Sequence, residues 1–487
     1  MKRGPENSNT GGERDRYFAR RYALRGDRHG RTGAFECVGG PSVFYGAASL
    51  RFRREDFLPD PHIVGAEPAL WPFAYRDLAP WYSAAERLLG VVGDEREDPT
   101  APNRRRPLPA PPGPPGPTAR LLATAARSMG LHPFRLPVAV TRDRCTMCGR
   151  CDGFACSLGA KNDLATAVLP GLIRSGLVLR ANTVATRFLW SGDRVLAVEV
   201  TDARSGQRSA FESDVFVVAA GSLATPGLLL ASGLAVRNPA GQWIGRGLMR
   251  HVNAVVAGLF DEPVGAAGQF QKEIGVHDYY LGDAGAPPGR LGSVQQIDAG
   301  SAALARVGAV RLARRPAEDL ARRLAGLIVI AEDQPRAANG VTISARRVDR
   351  FGAPLTRVRH RHTPRDLHVR AALAQRARAI LIAAGARATA FVPVGGFSHA
   401  LGGVRMGADR RTSPLGPDGR LRGTANLFVT DGSTFPTSAG VNPSLTIAAN
   451  ALRIGAGIAG RSRVALETAR AADPAPPTRP VPVRIRV

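Results

Sequence analysis

The residues best suited to chemistry lie in one C-terminal stretch, from Ser398 to Ile458. It holds a single histidine, His399, close to the glycine turn Gly402-Gly403. A neutral imidazole can take the proton of a hydroxyl group at physiological pH. Further along, a short apolar run ends at Asp431-Gly432, and Asn442-Pro443 opens a helical pattern. A strand that stops at Asp-Gly sets backbone amides at the carboxyl edge of a sheet, where α/β folds hold cofactors. A helix start aimed at a cofactor ring stabilises negative charge on its reduced form. The combination suits oxidation of a hydroxyl-bearing carbon: the histidine takes the proton while the carbon gives up hydride.

Several elements must position these residues. DVFVVAA at 214–220 is a continuous apolar run closed by Gly221, and SLATPGLLLASG follows as a helix. A buried strand entering a helix through a glycine turn fits a doubly wound α/β sheet. LFVTD at 427–431 reads as a short strand and 443–459 as a final helix with Pro443 at its start. Residues 364–387 form one amphipathic helical pattern, and 70–93 carry Asp77 and Pro80 near a helix start. Two β-like runs, LVLRANTVATRFLW and RVLAVEV, are split by the turn Ser191-Gly192-Asp193. Residues 330–360 read as paired strands of an antiparallel sheet. The proline-rich residues 97–118 read as an exposed, extended linker, and 466–487 as a disordered tail.

The Ser398–Ile458 block resembles the C-terminal signature of the glucose–methanol–choline (GMC) oxidoreductases, with His399 and Asn442 lying 43 positions apart. Three more segments resemble the family in the expected order: GGPSVFYGAASLRFRREDF at 39–57, the Trp-Pro…Tyr…Asp-Leu…Tyr…Glu…Leu-Gly-Val segment at 71–93, and VVAAGSLATPGLLLASG at 217–233. The resemblance implies an α/β and α+β fold. It has a discontinuous Rossmann-like FAD-binding domain (1–60, 141–258 and 395–465) and a substrate-binding domain on an antiparallel sheet (61–140 and 259–394). It implies FAD as cofactor and an alcohol or sugar as substrate, with a CH–OH group oxidised to a carbonyl. The electron acceptor that reoxidises the flavin is left open. His399 is then the base, and Asn442 the group that places the substrate oxygen. The flavin contacts implied are Gly39, Gly40, Ser42, Tyr45, Gly46, Val184, Ala185, Ala220, Gly221, Asp431, Gly432, Asn442, Pro443 and Thr446. Family members begin with a strand–Gly-x-Gly-x-x-Gly–helix unit, and nothing before Gly39 matches it. The alternative expectation is therefore a truncated, FAD-deficient and inactive remnant of such an enzyme.

The net charge of +26 raises a second alternative, an arginine-rich nucleic-acid-binding protein. The only lysines are Lys2, Lys161 and Lys272, the arginines are scattered, and aromatics make up 6% of the chain. A strand-tracking groove interleaves aromatics with its basic residues, so no nucleic-acid partner is expected. No run of eighteen apolar residues marks a membrane span, and the N-terminus lacks the apolar stretch of a secretory signal. The expected location is cytoplasmic. Four of five cysteines, Cys145, Cys148, Cys151 and Cys156, fall within twelve positions. Their spacing is near a ferredoxin pattern, but that pattern has three residues before the last cysteine and a proline after it; here Ser157 follows. A tight structural turn and an iron–sulfur site both remain open, and no metal is assigned.

Overall fold

The computed structural model describes residues 19–460 except 27–29, 105, 150, 266–269, 271, 298–318 and 398. The expected tail at 466–487 lies outside the described residues. In chain order the strands are β1 (Ala19–Gly26), β2 (Gly30–Phe35), β3 (Val91–Asp94), β4 (Phe134–Ala139), β5 (Thr183–Ser191) and β6 (Arg194–Asp202). Next come β7 (Arg208–Glu212), β8 (Phe216–Val218), β9 (Met249–Arg250), β10 (Ala254–Leu259), β11 (Ile274–Val276) and β12 (Gly292–Ile297). The last are β13 (Leu324–Ala331), β14 (Gly340–Val348), β15 (Pro354–His360), β16 (Ala388–Pro393), β17 (Ala400–Leu401) and β18 (Leu427–Val429). The longer helices are α1 (Tyr75–Leu88), α2 (Pro117–Ser128), α3 (Gly221–Ala231), α4 (Pro364–Ala383) and α5 (Ser444–Ile458).

The largest sheet has seven strands in the order β16-β10-β13-β12-β11-β4-β3, all paired antiparallel. Its covered face packs on α4, where Val369, Leu373, Ala377 and Ile380 recur at helical spacing beside Val256, Val294, Leu327 and Val329. Ala119, Leu122 and Ala126 of α2 complete that core. A capping box starts α4: Thr363 Oγ1 accepts from Asp366 N at 3.1 Å, and Asp366 Oδ2 accepts from Thr363 N at 2.6 Å. The second core surrounds α1 and α5, which pack on each other. Within it, the parallel pair β8–β18 aligns Phe216 with Leu427 and Val218 with Val429.

Three expectations are corrected. Strands β14 and β15 pair as expected, but in a separate four-stranded sheet, β14-β15-β1-β2, and not in the seven-stranded one. Val341 and Val358 bury against Leu223 of α3 together with Tyr22 and Leu24 of β1, so their apolar partners lie on that side. The run LVLRAN forms no strand; β5 begins at Thr183, and Val178 is 75% exposed. The proline-rich segment is not a free linker. Asp98 accepts from Arg53 at 2.5 Å inside the protein, and Arg104 is paired with Glu86 and Glu95.

Lys161 organises the cysteine-rich turn. Its ammonium donates to the carbonyls of Tyr45 (2.9 Å), Cys151 (2.8 Å) and Phe154 (2.6 Å), which uses all three protons. Burial lowers its pKa while the three carbonyls hold it in place. Among the described residues the cysteine sulfurs do not gather into one ligand set within 4.8 Å.

Two outcomes are expected. Lys161→Met leaves three buried carbonyls without a donor, so thermal or urea unfolding should show a loss of about 3 kcal/mol. Thiol titration should show faster reaction of the four clustered cysteines in that variant, and anaerobically purified parent should carry far less than stoichiometric iron. The second concerns Asp366, whose carboxyl burial pushes up to about 7 from 3.8. A raised acid contributes its full stability below the unfolded pKa and loses it as pH rises through the folded value. Asp366→Asn keeps the acceptor of the capping box without the charge. Its unfolding free energy relative to the parent should therefore rise between pH 5 and pH 8, by something on the order of 2 kcal/mol.

Candidate active site

Strand β18 runs into Asp431, whose carboxylate ties the two parallel strands together at their carboxyl ends. Its Oδ2 accepts from Gly221 N at 2.8 Å and from Thr225 Oγ1 at 2.5 Å, and its Oδ1 accepts from Ser433 N at 2.8 Å. The turn from β8 into α3 thus takes one fixed shape, with Ala220 at the helix cap and Gly221 at φ +84°. A side chain there would be strained, yet no atom lies within 4 Å of where its Cβ would sit. Gly432 is packed instead: a Cβ would come within 2.9 Å of Leu401.

Past Asp431 the chain stays buried through Asn442. The loop 438–440 is held from the side of the seven-stranded sheet. Ser438 Oγ accepts from Asp333 N (3.0 Å) and donates to Asp333 O (3.2 Å). Ala439 N donates to Glu332 Oε1 at 3.0 Å, and Gly440 N donates to Tyr280 Oη at 3.0 Å. These bonds support Ala439 at φ +53°, a left-handed conformation unusual for a residue with a Cβ. Asn442 follows with its Oδ1 buried and making no hydrogen bond, and Pro443 caps α5. Opposite, His399 lies just before β17. Its Nδ1 is 2.8 Å from Nδ1 of His251, and His251 Nε2 is 3.0 Å from Ser438 O. The two rings cross edge to face. Desolvation, then His251, then Lys272 hold the His399 pKa well below 6.5, and desolvation pushes His251 down to about 4. Both imidazoles are neutral at pH 7.

The other expected contact residues fall into two groups. Gly39 and Gly40 have φ of +88° and +60°, and the space where a Gly40 Cβ would go is open. Several of the rest are engaged within the fold. Ser42 Oγ donates to Gly39 O at 2.6 Å, Tyr45 Oη donates to Asn162 O at 2.6 Å, and Thr446 Oγ1 meets Tyr82 Oη at 2.8 Å. A Cβ on Gly46 would collide with Asp152 and Lys272, which are themselves ion-paired at 3.3 Å. Val184 and Ala185 sit on β5 of the separate sheet β5-β6-β7. The group that the sequence resemblance implies, FAD, fits what is open here: a free acceptor on Asn442, a helix start, and open space beside Gly40 and Gly221 where a side chain would stand.

Sequence reasoning missed His251, Lys272 and the anchors Tyr280, Glu332 and Asp333. Nothing in the spacing of GRGLMRHVN relates His251 to His399; only the folded chain does. A further cluster, Asp333, His360 and His362, brings possible metal-ligating atoms within 4.8 Å of one another. His360 uses both ring nitrogens in hydrogen bonds, accepting from Arg250 Nε at 3.3 Å and donating to Asp333 Oδ2 at 2.7 Å. That arrangement reads as a buried polar network built around Asp333.

Comparison with known proteins identifies the family. Residues 33–253 and 335–451 match the N-terminal and C-terminal sequence profiles described as GMC oxidoreductase. The chain is 31% identical over 448 residues to 6'''-hydroxyparomomycin C oxidase of Streptomyces lividus, covering 87% of this chain and 78% of that protein. It is 27% identical over 452 residues to 2-methyl-1,2-propanediol dehydrogenase of Mycolicibacterium austroafricanum, covering 86% and 80%. Pyridoxine 4-oxidase from Mesorbium loti shares the fold at a TM-score of 0.63 and 17% identity, covering 92% of this chain and 89% of that one. With the Asp431-to-α3 tie and the loop before Asn442 in the places the two profiles span, the chain belongs to the GMC oxidoreductase family.

Proposed function

We propose that the protein is a FAD-dependent oxidoreductase that oxidises a CH–OH group of an alcohol or sugar to a carbonyl, with His399 as the base. Bound FAD would supply the hydride acceptor. The observation that carries the reading is a neutral, desolvated His399 held across from a loop that delivers the unpartnered Asn442 Oδ1 at a helix start. His399 takes the hydroxyl proton as the C–H bond breaks. A base of depressed pKa stays ready in its neutral form throughout the physiological range. Asn442, with one acceptor and two amide protons, orients the substrate oxygen. Gly39, Gly40, Ala220, Gly221, Asp431, Gly432, Asn442 and Pro443 are the residues we assign to holding the cofactor. Two relatives are named for hydroxyl-bearing compounds, a hydroxyparomomycin and a propanediol, which supports an alcohol or sugar substrate.

Removal of a general base typically costs about 10²–10⁴-fold in rate. In stopped-flow mixing of flavin-loaded protein with an alcohol or sugar substrate, His399→Ala should slow flavin reduction by about that factor while leaving flavin content near the parent's. The parent rate should hold down to pH 6.5 and decline only below it, because protonation of His399 is displaced downward. A His399→Ala variant that reduces its flavin within a factor of two of the parent would remove the base assignment. Asn442→Ala should slow the same step and also loosen the flavin, since it stands at the start of α5.

A further inference from the structure

Hydrogen-bond direction decides which nitrogen of His399 carries its proton. Ser438 presents a backbone carbonyl to His251 Nε2 at 3.0 Å, and a carbonyl only accepts. His251 Nε2 is therefore an N–H. Burial keeps His251 neutral at pH 7, so it has one ring proton and its Nδ1 is a lone pair. The 2.8 Å separation between the two Nδ1 atoms requires a proton between them, and only His399 can provide it. His399 is then the Nδ1–H tautomer, with its lone pair on Nε2.

We propose that His251 is a positioning residue: by accepting from His399 Nδ1–H, it leaves Nε2 as the atom that takes the substrate proton. The proposal rests on the reading of His399 as base. It makes the carbonyl of Ser438 the origin of the tautomer. That carbonyl is fixed through the serine hydroxyl on Asp333, through Ala439 N on Glu332 and through Gly440 N on Tyr280. The loop that leads into Asn442 therefore also orients the base, so base and substrate-orienting amide move as one unit. Lys272, a positive charge acting on His399, opposes a second proton on the ring.

The test uses ¹⁵N-histidine-labelled full-length protein at pH 7, with His399 resonances identified by their loss in His399→Ala. The expected spectrum has a protonated Nδ1 and a bare Nε2 on His399. In His251→Leu the acceptor is gone, and the Nε2–H form should appear. His251→Asn places an amide oxygen near the position of Nδ1 and should restore the Nδ1–H form. In flavin-loaded protein, His251→Leu should slow flavin reduction about 100-fold at unchanged KM, and His251→Asn should recover most of that loss. A parent His399 protonated on Nε2 would overturn the proposal whatever the kinetics. So would a slow His399→Ala alongside a His251→Leu variant within twofold of the parent, since the base would stand and the positioning role would not. If His399→Ala is as fast as the parent, the base reading itself fails, and the spectrum still reports the tautomer on its own. Should His251→Leu not fold, the parent spectrum and the His251→Asn rate remain decisive.

Discussion

A backbone carbonyl accepts hydrogen bonds and never donates them, and at Ser438 this one-sidedness orders the site. It fixes His251, and through His251 it reaches His399. A carbonyl can impose direction only if it cannot swing away. Ser438 is tied to Asp333 by two hydrogen bonds through one hydroxyl, and the next two backbone amides are taken by Glu332 and Tyr280. Holding Ala439 in the left-handed region costs on the order of 1–2 kcal/mol. Four hydrogen bonds at about 1 kcal/mol each are enough to offset that.

Those anchors belong to a larger buried set of charges. Glu332 faces Arg290 at 3.2 Å, and Arg290 lies 3.5 Å from Asp56, which accepts from Tyr280 at 2.8 Å. Nearby, Arg53 joins Asp98 at 2.5 Å and contacts His277, while Arg51 joins Glu86 at 2.6 Å beneath α1. Ions removed from water this completely are tolerated only when each has its partner. Loss of one would strand the others, so the network ties α1, the proline-rich segment and the edge of the seven-stranded sheet to a single geometry. Asp56 shows the cost: burial first, then the neighbouring carboxylate, pushes its pKa up to about 7 despite Arg290.

How far the sequence spoke depended on how local the signal was. Helix α4 could be read because its apolar residues recur at helical spacing from Pro364 onward; the capping box of Thr363 and Asp366 that starts it is seen in the fold. Helix α5, the β8-to-α3 turn and β18 could be read for similar reasons, and His399 and Asn442 stood out by their neighbours. The hairpin β1–β2 escaped notice: among its described side chains Tyr22 and Leu24 are the buried ones, too short an alternation to separate from loop. The partners of β14 and β15 escaped because an antiparallel pair does not announce which sheet it joins. Arg51 and Arg53 look like surface residues in SLRFRREDF, yet both are buried. Their partners lie some thirty-five and forty-five positions away, at Glu86 and Asp98, and no periodicity spans that gap.

The parallel pair β8–β18 has one more consequence. Among the described residues it is a two-stranded sheet, and Val215 and Val217 along it are 41% and 51% exposed. Backbone groups left unpaired at the edge of a sheet invite pairing with a strand from another molecule. Here the strands are three residues long, so an intruding strand could form only a bond or two before β8 turns away at Gly221. The glycine turn that shapes the site thereby also sets the reach of the pair: it carries the chain off into α3 three residues after β8 ends.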